Sequence, residues 1–236
     1  MNRQTLNNVL LDICDAIPEL WGFVAIKTQE MLERQLRSRA LELFRGEIDG
    51  NGFLDGFSEA IDNQLTRAWN EGALESGVWP EDMTDEDLAV LADIVNQELE
   101  YVYQLGDDII ALSQETTPLD EKEALAEFRS RIGSRLDMWG NRYNEVANRA
   151  RTHFGGKDKY KWVLGATETH CDSCSALNGI VAFAYEWDES GVIPGEANSE
   201  KLSCGGWRCD CRLESVGRDE PRTRAALSRI REITGQ

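Results

Sequence analysis

The sequence predicts a mainly α N-terminal helical body, residues 1–156, followed by a small α+β module over residues 157–236. Three observations carry that prediction. Apolar residues recur at three- and four-residue spacing as far as residue 154. After Gly155-Gly156 the spacing changes to the period of two that marks half-buried strands. Five of the six cysteines then fall in one 41-residue window, Cys171 to Cys211.

The helices can be justified in order. Pro18 suits a first helical turn, with a shorter helix before it, Thr5 to Ala16. From Pro18 the run to Ile48 carries Val24, Ile26, Met31, Leu36, Leu41 and Leu43 at helical spacing. Asp49-Gly50-Asn51-Gly52 interrupts it. A helix over Phe53–Glu75 follows, with Phe57, Ile61, Leu65 and Trp69 each four apart. Thr84 with Asp87 three residues on reads as a capping box, opening a helix through Leu88, Leu91, Ile94, Leu99 and Val102 to Leu112. Thr117 as N-cap and Pro118 in the first turn start the next, which Gly155 ends.

The module reads differently. Lys159–Leu164 alternates, placing Tyr160, Trp162 and Leu164 on one face. Asn178-Gly179 is a turn signal, after which Val181, Phe183, Tyr185 and Trp187 alternate as a second strand. Cys211–Val216 reads as a last short strand, and a terminal helix is expected from Pro221.

Charge separates the two parts. Residues 1–149 carry 13 Lys/Arg against 30 Asp/Glu, net −17, whereas residues 150–236 carry 12 against 13, net −1. An acidic body repels a phosphate backbone, which leaves it a solvated face or a surface for basic protein partners. No run is long and apolar enough for a membrane span, and the first twenty residues carry no secretion signal. A reducing cytosol is therefore expected, where clustered thiols bind metal more often than they oxidise.

The cysteine spacing is Cys-x2-Cys (Cys171, Cys174), 29 intervening residues, then Cys-x4-Cys-x-Cys (Cys204, Cys209, Cys211). A Cys-x2-Cys turn converges two thiolates on one ion, and a Cys-x-Cys in extended chain puts both on one face. A structural zinc ion takes four N or S ligands, and these five cysteines with the adjacent His170 offer more than enough. Cys14, in an apolar run, reads as a core thiol. Thiolate richness points to a structural ion, not a catalytic one with an open position. The His-x-Glu of zinc deaminases, HExxH, GxSxG, the P-loop and GxGxxG are all missing from the sequence, so no enzyme is expected. Glu47–Ser58 imitates a calcium loop through Asp49, Asn51, Gly52 and Asp55, but Ser58 stands where the bidentate Glu belongs. It reads as a helix connector.

With these residues in place, KWVLGATETHCDSCSALNG, then Trp187 and Pro194, then LSCGGWRCDCRLE, resembles the C-terminal motif of the phage Mu F-like head morphogenesis proteins. The resemblance covers residues 159–214. The family usually has a His three residues before the last cysteine pair, where this chain has Gly206. The ligand set is then Cys171, Cys174 and Cys209 with Cys204 or Cys211 as fourth. The resemblance implies a minor capsid protein of a tailed phage, associated with the portal protein or major capsid protein. Its location is then the phage head, reached through the host cytoplasm during assembly, with no membrane and no small-molecule substrate. The rival expectation is nucleic-acid binding, with Lys157, Lys159, Lys161, Arg218, Arg222, Arg224, Arg229 and Arg231 contacting packaged DNA. A zinc enzyme is the third.

Overall fold

The computed structural model describes residues 34–115, 121–165, 169–196, 199–206 and 211–235. The expected helix at Thr5–Ala16, the Pro18 start, Cys14 and the Thr117 cap lie outside them. Helix α1 spans 34–44, and Gly46 at φ 69 follows its end. Helix α2 runs Gly50–Glu75, opened by Asp49, whose carboxylate accepts from the Gly52 N–H at 2.8 Å. Of the expected connector Glu47–Ser58, only the residues up to Asp49 precede the helix, which begins three residues earlier than the apolar pattern alone indicates. A 3-10 turn, Pro80–Asp82, leads to α3, Asp85–Glu115. The expected capping box is present: Thr84 N–H donates to Asp87 Oδ2 at 2.8 Å, and Asp87 N–H to Thr84 Oγ1 at 3.2 Å. Helix α4, Glu121–Phe154, ends at Gly155.

These helices share one core. Phe53, Phe57, Ile61, Leu65 and Trp69 of α2 meet Leu91, Ile94, Val102, Leu105 and Ile109 of α3 and Val146, Ala147 and Ala150 of α4. Leu88 departs from expectation and is 47% exposed. The buried stripe of α3 begins one turn later, at Leu91, so the first turn projects beyond the core. Where α2 crosses α4, a Cβ on Gly72 would lie 2.3 Å from the Ala147 carbonyl oxygen. Only glycine allows so close an approach there.

The crossing also buries charge. Tyr143 OH donates to Glu71 Oε2 at 2.6 Å, while Arg151 donates to Glu75 at 2.9 Å and to Asn148 Oδ1 at 2.8 Å. Burial raises the Glu71 carboxyl to about 6, and the Tyr143 hydrogen bond and Arg151 offset this only in part.

The module forms a second apolar cluster around a three-stranded antiparallel sheet, order β2-β1-β3. Strands β1 (Lys159–Val163) and β3 (Arg212–Ser215) appear where alternation places them, with Trp162 opposite Leu213 and Tyr160 opposite Ala182. Short helix α5, Asp172–Leu177, carries the first cysteine pair. Strand β2 is only Val181–Phe183, and Ala184–Ser190 is helix α6 instead of further strand. The backbone explains this correction. The Ala184 and Tyr185 N–H groups bond to the carbonyls of Asp158 and Gly156, drawing the chain off the sheet. Glu186 accepts from the Phe183 N–H at 3.0 Å and from Arg222 Nε at 2.7 Å, and buried Trp187 packs against Trp162.

The terminal helix, α7, spans Ala226–Thr234 and does not begin at Pro221. Thr223 instead bonds along β2, its N–H to the Val181 carbonyl at 2.8 Å and its hydroxyl accepting from the Val181 N–H. Pairing to the sheet outweighs the helix-start signal of proline.

Body and module meet through α4. Asn148 accepts from the Leu213 N–H at 3.1 Å and donates to the Pro194 carbonyl at 3.3 Å. Arg149 pairs with Glu196 at 3.0 Å, and Ser76 Oγ lies 2.9 Å from Tyr160 OH.

Two predictions follow from these contacts. A folded-state pKa near 6 against an ordinary 4.5 means that Glu71 binds its proton more tightly when folded. Stability is therefore lost as pH rises across that window, by about 2 kcal/mol. Urea unfolding of Glu71→Gln between pH 4.5 and 7 should lack this loss. Asn148→Ala leaves the buried Leu213 N–H without its acceptor and should cost about 2 kcal/mol in the same assay.

Candidate metal centre

The Cys-x2-Cys segment folds as a thiol-capped helix start. Cys171 precedes α5 in extended conformation, and its sulfur accepts from the Cys174 N–H at 3.3 Å. That bond is the turn geometry that Cys-x2-Cys spacing favours. The far end of α5 is tied to β1: the Gly179 N–H donates to the Trp162 carbonyl at 2.9 Å, and the Trp162 N–H to the Ile180 carbonyl at 3.1 Å. Cys174 is buried and Cys171 half-buried.

Cys204 arrives from a tight turn, in which Gly205 N–H bonds to the Leu202 carbonyl at 2.8 Å. Gly205 and Gly206 adopt φ of 62° and 76°. A side chain at position 206, where the resembled family has His, would be strained in this turn. Three hydrogen bonds join the two cysteine-bearing segments. Ser173 N–H donates to Ser203 Oγ at 3.2 Å, Ser203 N–H donates to Ser173 Oγ at 3.0 Å, and the two hydroxyls lie 3.0 Å apart.

The sulfurs of Cys171, Cys174 and Cys204 all lie within 4.8 Å of one another. Thiolates at ~2.3 Å from a tetrahedral ion stand ~3.8 Å apart, so small side-chain movements close the set on a metal. An all-sulfur donor set suits a borderline or soft ion and not calcium or magnesium. Burial pushes the Cys171 thiol up, but hydrogen bonds from the Cys174 N–H and from Ser203, Cys174 and Cys204 outweigh it and hold it below its ordinary value. A thiol that ionises readily is a better ligand.

Of the other expected ligands, Cys211 is buried in the same apolar cluster as Cys174 but is not one of the three mutually close sulfurs. His170 is half-buried and also stands outside that group. Cys209 lies outside the described residues. None of the four described cysteines of the window is in a disulfide. Sequence reasoning missed Ser173 and Ser203, because two serines 30 positions apart carry no signal until the fold brings them together.

Comparison with protein-family models, curated proteins and solved structures finds no match to this chain.

The geometry predicts how metal removal acts. Chelation under reducing conditions should lower the melting temperature read from the near-ultraviolet signal of the packed Trp162–Trp187 pair more than that read from far-ultraviolet helicity, because the described residues of the helical core include no thiol. Cys204→Ser should lower bound metal, measured by elemental analysis, and an unchanged metal content would contradict the three-sulfur site.

Proposed function

We propose that this protein is a structural component of a tailed-phage head, a minor capsid protein acting at or near the portal vertex, with its C-terminal module held by one zinc ion. One observation carries this reading. Cys171, Cys174 and Cys204 converge beside the Trp162-centred sheet in the same segment, 159–214, whose motif resembles that of Mu F-like proteins. Zinc is the ion that thiolate clusters of this spacing bind in reducing compartments, and its role here is to cross-link a module with a small core. Cys209 or Cys211 completes the site.

The body supplies the docking surface in this reading. Helix α3 contains no Lys or Arg from Asp85 to Glu115, and its Asp93, Glu100, Asp107 and Asp108 are exposed together with Tyr101 and Tyr103. Such a face suits a basic protein surface on the portal or capsid and opposes DNA. The rival nucleic-acid reading loses cationic groups to internal contacts. Arg222 pairs with Glu186, Arg231 with Glu189 at 3.0 Å, and Lys159 donates to the Arg218 carbonyl at 2.7 Å. A zinc enzyme would require an exchangeable water on the metal.

Quantitative mass spectrometry of purified proheads and virions tests the proposal. The protein should be present in far fewer copies than the major capsid protein and should co-purify with the portal. Particles made without it should be defective in assembly or infectivity. Its absence from both particle types would overturn the reading.

A further inference from the structure

We infer that Ser173 and Ser203 form a positioning pair that assembles the metal site before the ion arrives. This rests on the metal reading proposed above and concerns how the site is built. The thiols that must converge come from segments separated by 29 residues. Without a fixed relation between the segments, the ion itself would have to close that loop and order both turns. The serines remove this cost from the binding step. Ser173 lies between Cys171 and Cys174, and Ser203 directly precedes Cys204. Each N–H donates to the other residue's hydroxyl, at 3.2 and 3.0 Å, and the hydroxyls meet at 3.0 Å. None of these bonds involves a metal ligand, so all three can form with the ion absent.

The pair also has a direct line to the ligands. Ser203 directly precedes Cys204, and Ser173 sits inside the turn in which the Cys171 sulfur accepts from the Cys174 N–H at 3.3 Å. Bonds of this kind orient a thiolate and reduce its charge donation to the ion. Ser203 therefore joins the turns, and with Ser173 it fixes the frame in which the sulfurs sit. Ser173 is buried, whereas Ser175, on the same short helix, is exposed and serves as its control.

The test is a chelator-competition titration of the full chain with zinc, on wild type, Ser173→Ala/Ser203→Ala, Ser203→Thr and Ser175→Ala. The double variant should bind zinc about ten- to a hundred-fold more weakly, yet reach the wild-type near-ultraviolet spectrum at saturation. Ser203→Thr keeps the hydroxyl and should restore most of the affinity, and Ser175→Ala should match wild type. In cobalt-loaded protein, Ser203→Ala should shift the sulfur-to-metal charge-transfer band, a change that a merely structural role would not produce. Amide exchange at Ser173 and Ser203 in the metal-free wild type should be slowed at least about ten-fold relative to an unstructured chain. Unprotected amides in the metal-free protein, or an unchanged zinc affinity in the double variant, would each overturn the positioning role while leaving the metal site standing. A wild-type chain that takes up no zinc would overturn the metal reading, and the positioning role with it.

Discussion

The structure depends on one stretch of helix, the last three turns of α4, which serves two cores at once. Val146, Ala147 and Ala150 face the helical body and are buried in it. Asn148 and Arg149, pointing elsewhere around the same turns, hold the module through Leu213, Pro194 and Glu196. A helix that must pack on two sides has no solvated face to spare for its charges. The charges are therefore buried and paired: Glu145 lies between Arg142 and Arg149, and Arg151 bonds Glu75 and Asn148. Removing one member of such a set strands its partner, which makes the joint costly to perturb and geometrically specific. The raised Glu71 carboxyl is the visible cost of that arrangement.

The module faces the opposite problem. Its three strands contain five, three and four residues, and its helices are short. Tryptophan supplies much of its core: Trp162 and Trp187 are fully buried 5.7 Å apart, and the Trp187 N–H donates to the Tyr160 carbonyl at 3.2 Å. An edge strand with unpaired backbone invites association with another chain. Here Asn148 takes the Leu213 N–H on the outer side of β3, so the body protects the module's edge. A metal cross-link between α5 and the Cys204 turn would stabilise the other side, where the Ser173–Ser203 pair joins the two segments.

Much of this was legible in the sequence because local chemistry dictated it. Alternation at Tyr160 and Trp162 gave β1, and Thr84 with Asp87 gave the start of α3. The failures share one cause. Val181–Trp187 alternates as a strand should, yet the turn at Gly155–Asp158 captures the backbone N–H groups of Ala184 and Tyr185. Pro221 has the position of a helix start, yet Thr223 pairs with Val181 across 42 residues. Long-range hydrogen bonds override local preference, and single-sequence patterns contain no information about them. The site divides in the same way. Cysteine spacing pointed to Cys171, Cys174 and Cys204, which the fold brings together, whereas the serine pair between the turns belongs to tertiary structure.

The two halves therefore solve stability by different physics, and this bears on how they would respond to a crowded assembly. The acidic face of α3 presents exposed charge, whose field salt screens over about 8 Å at physiological ionic strength. The buried Asn148 joint is insensitive to such screening, and thiolate–metal bonds at the cysteine cluster would be as well. A protein built this way can form and release contacts on its acidic side while the module and its attachment stay fixed. The division of charge between residues 1–149 and 150–236 thus separates the surface whose field salt tunes from internal structure that salt leaves alone.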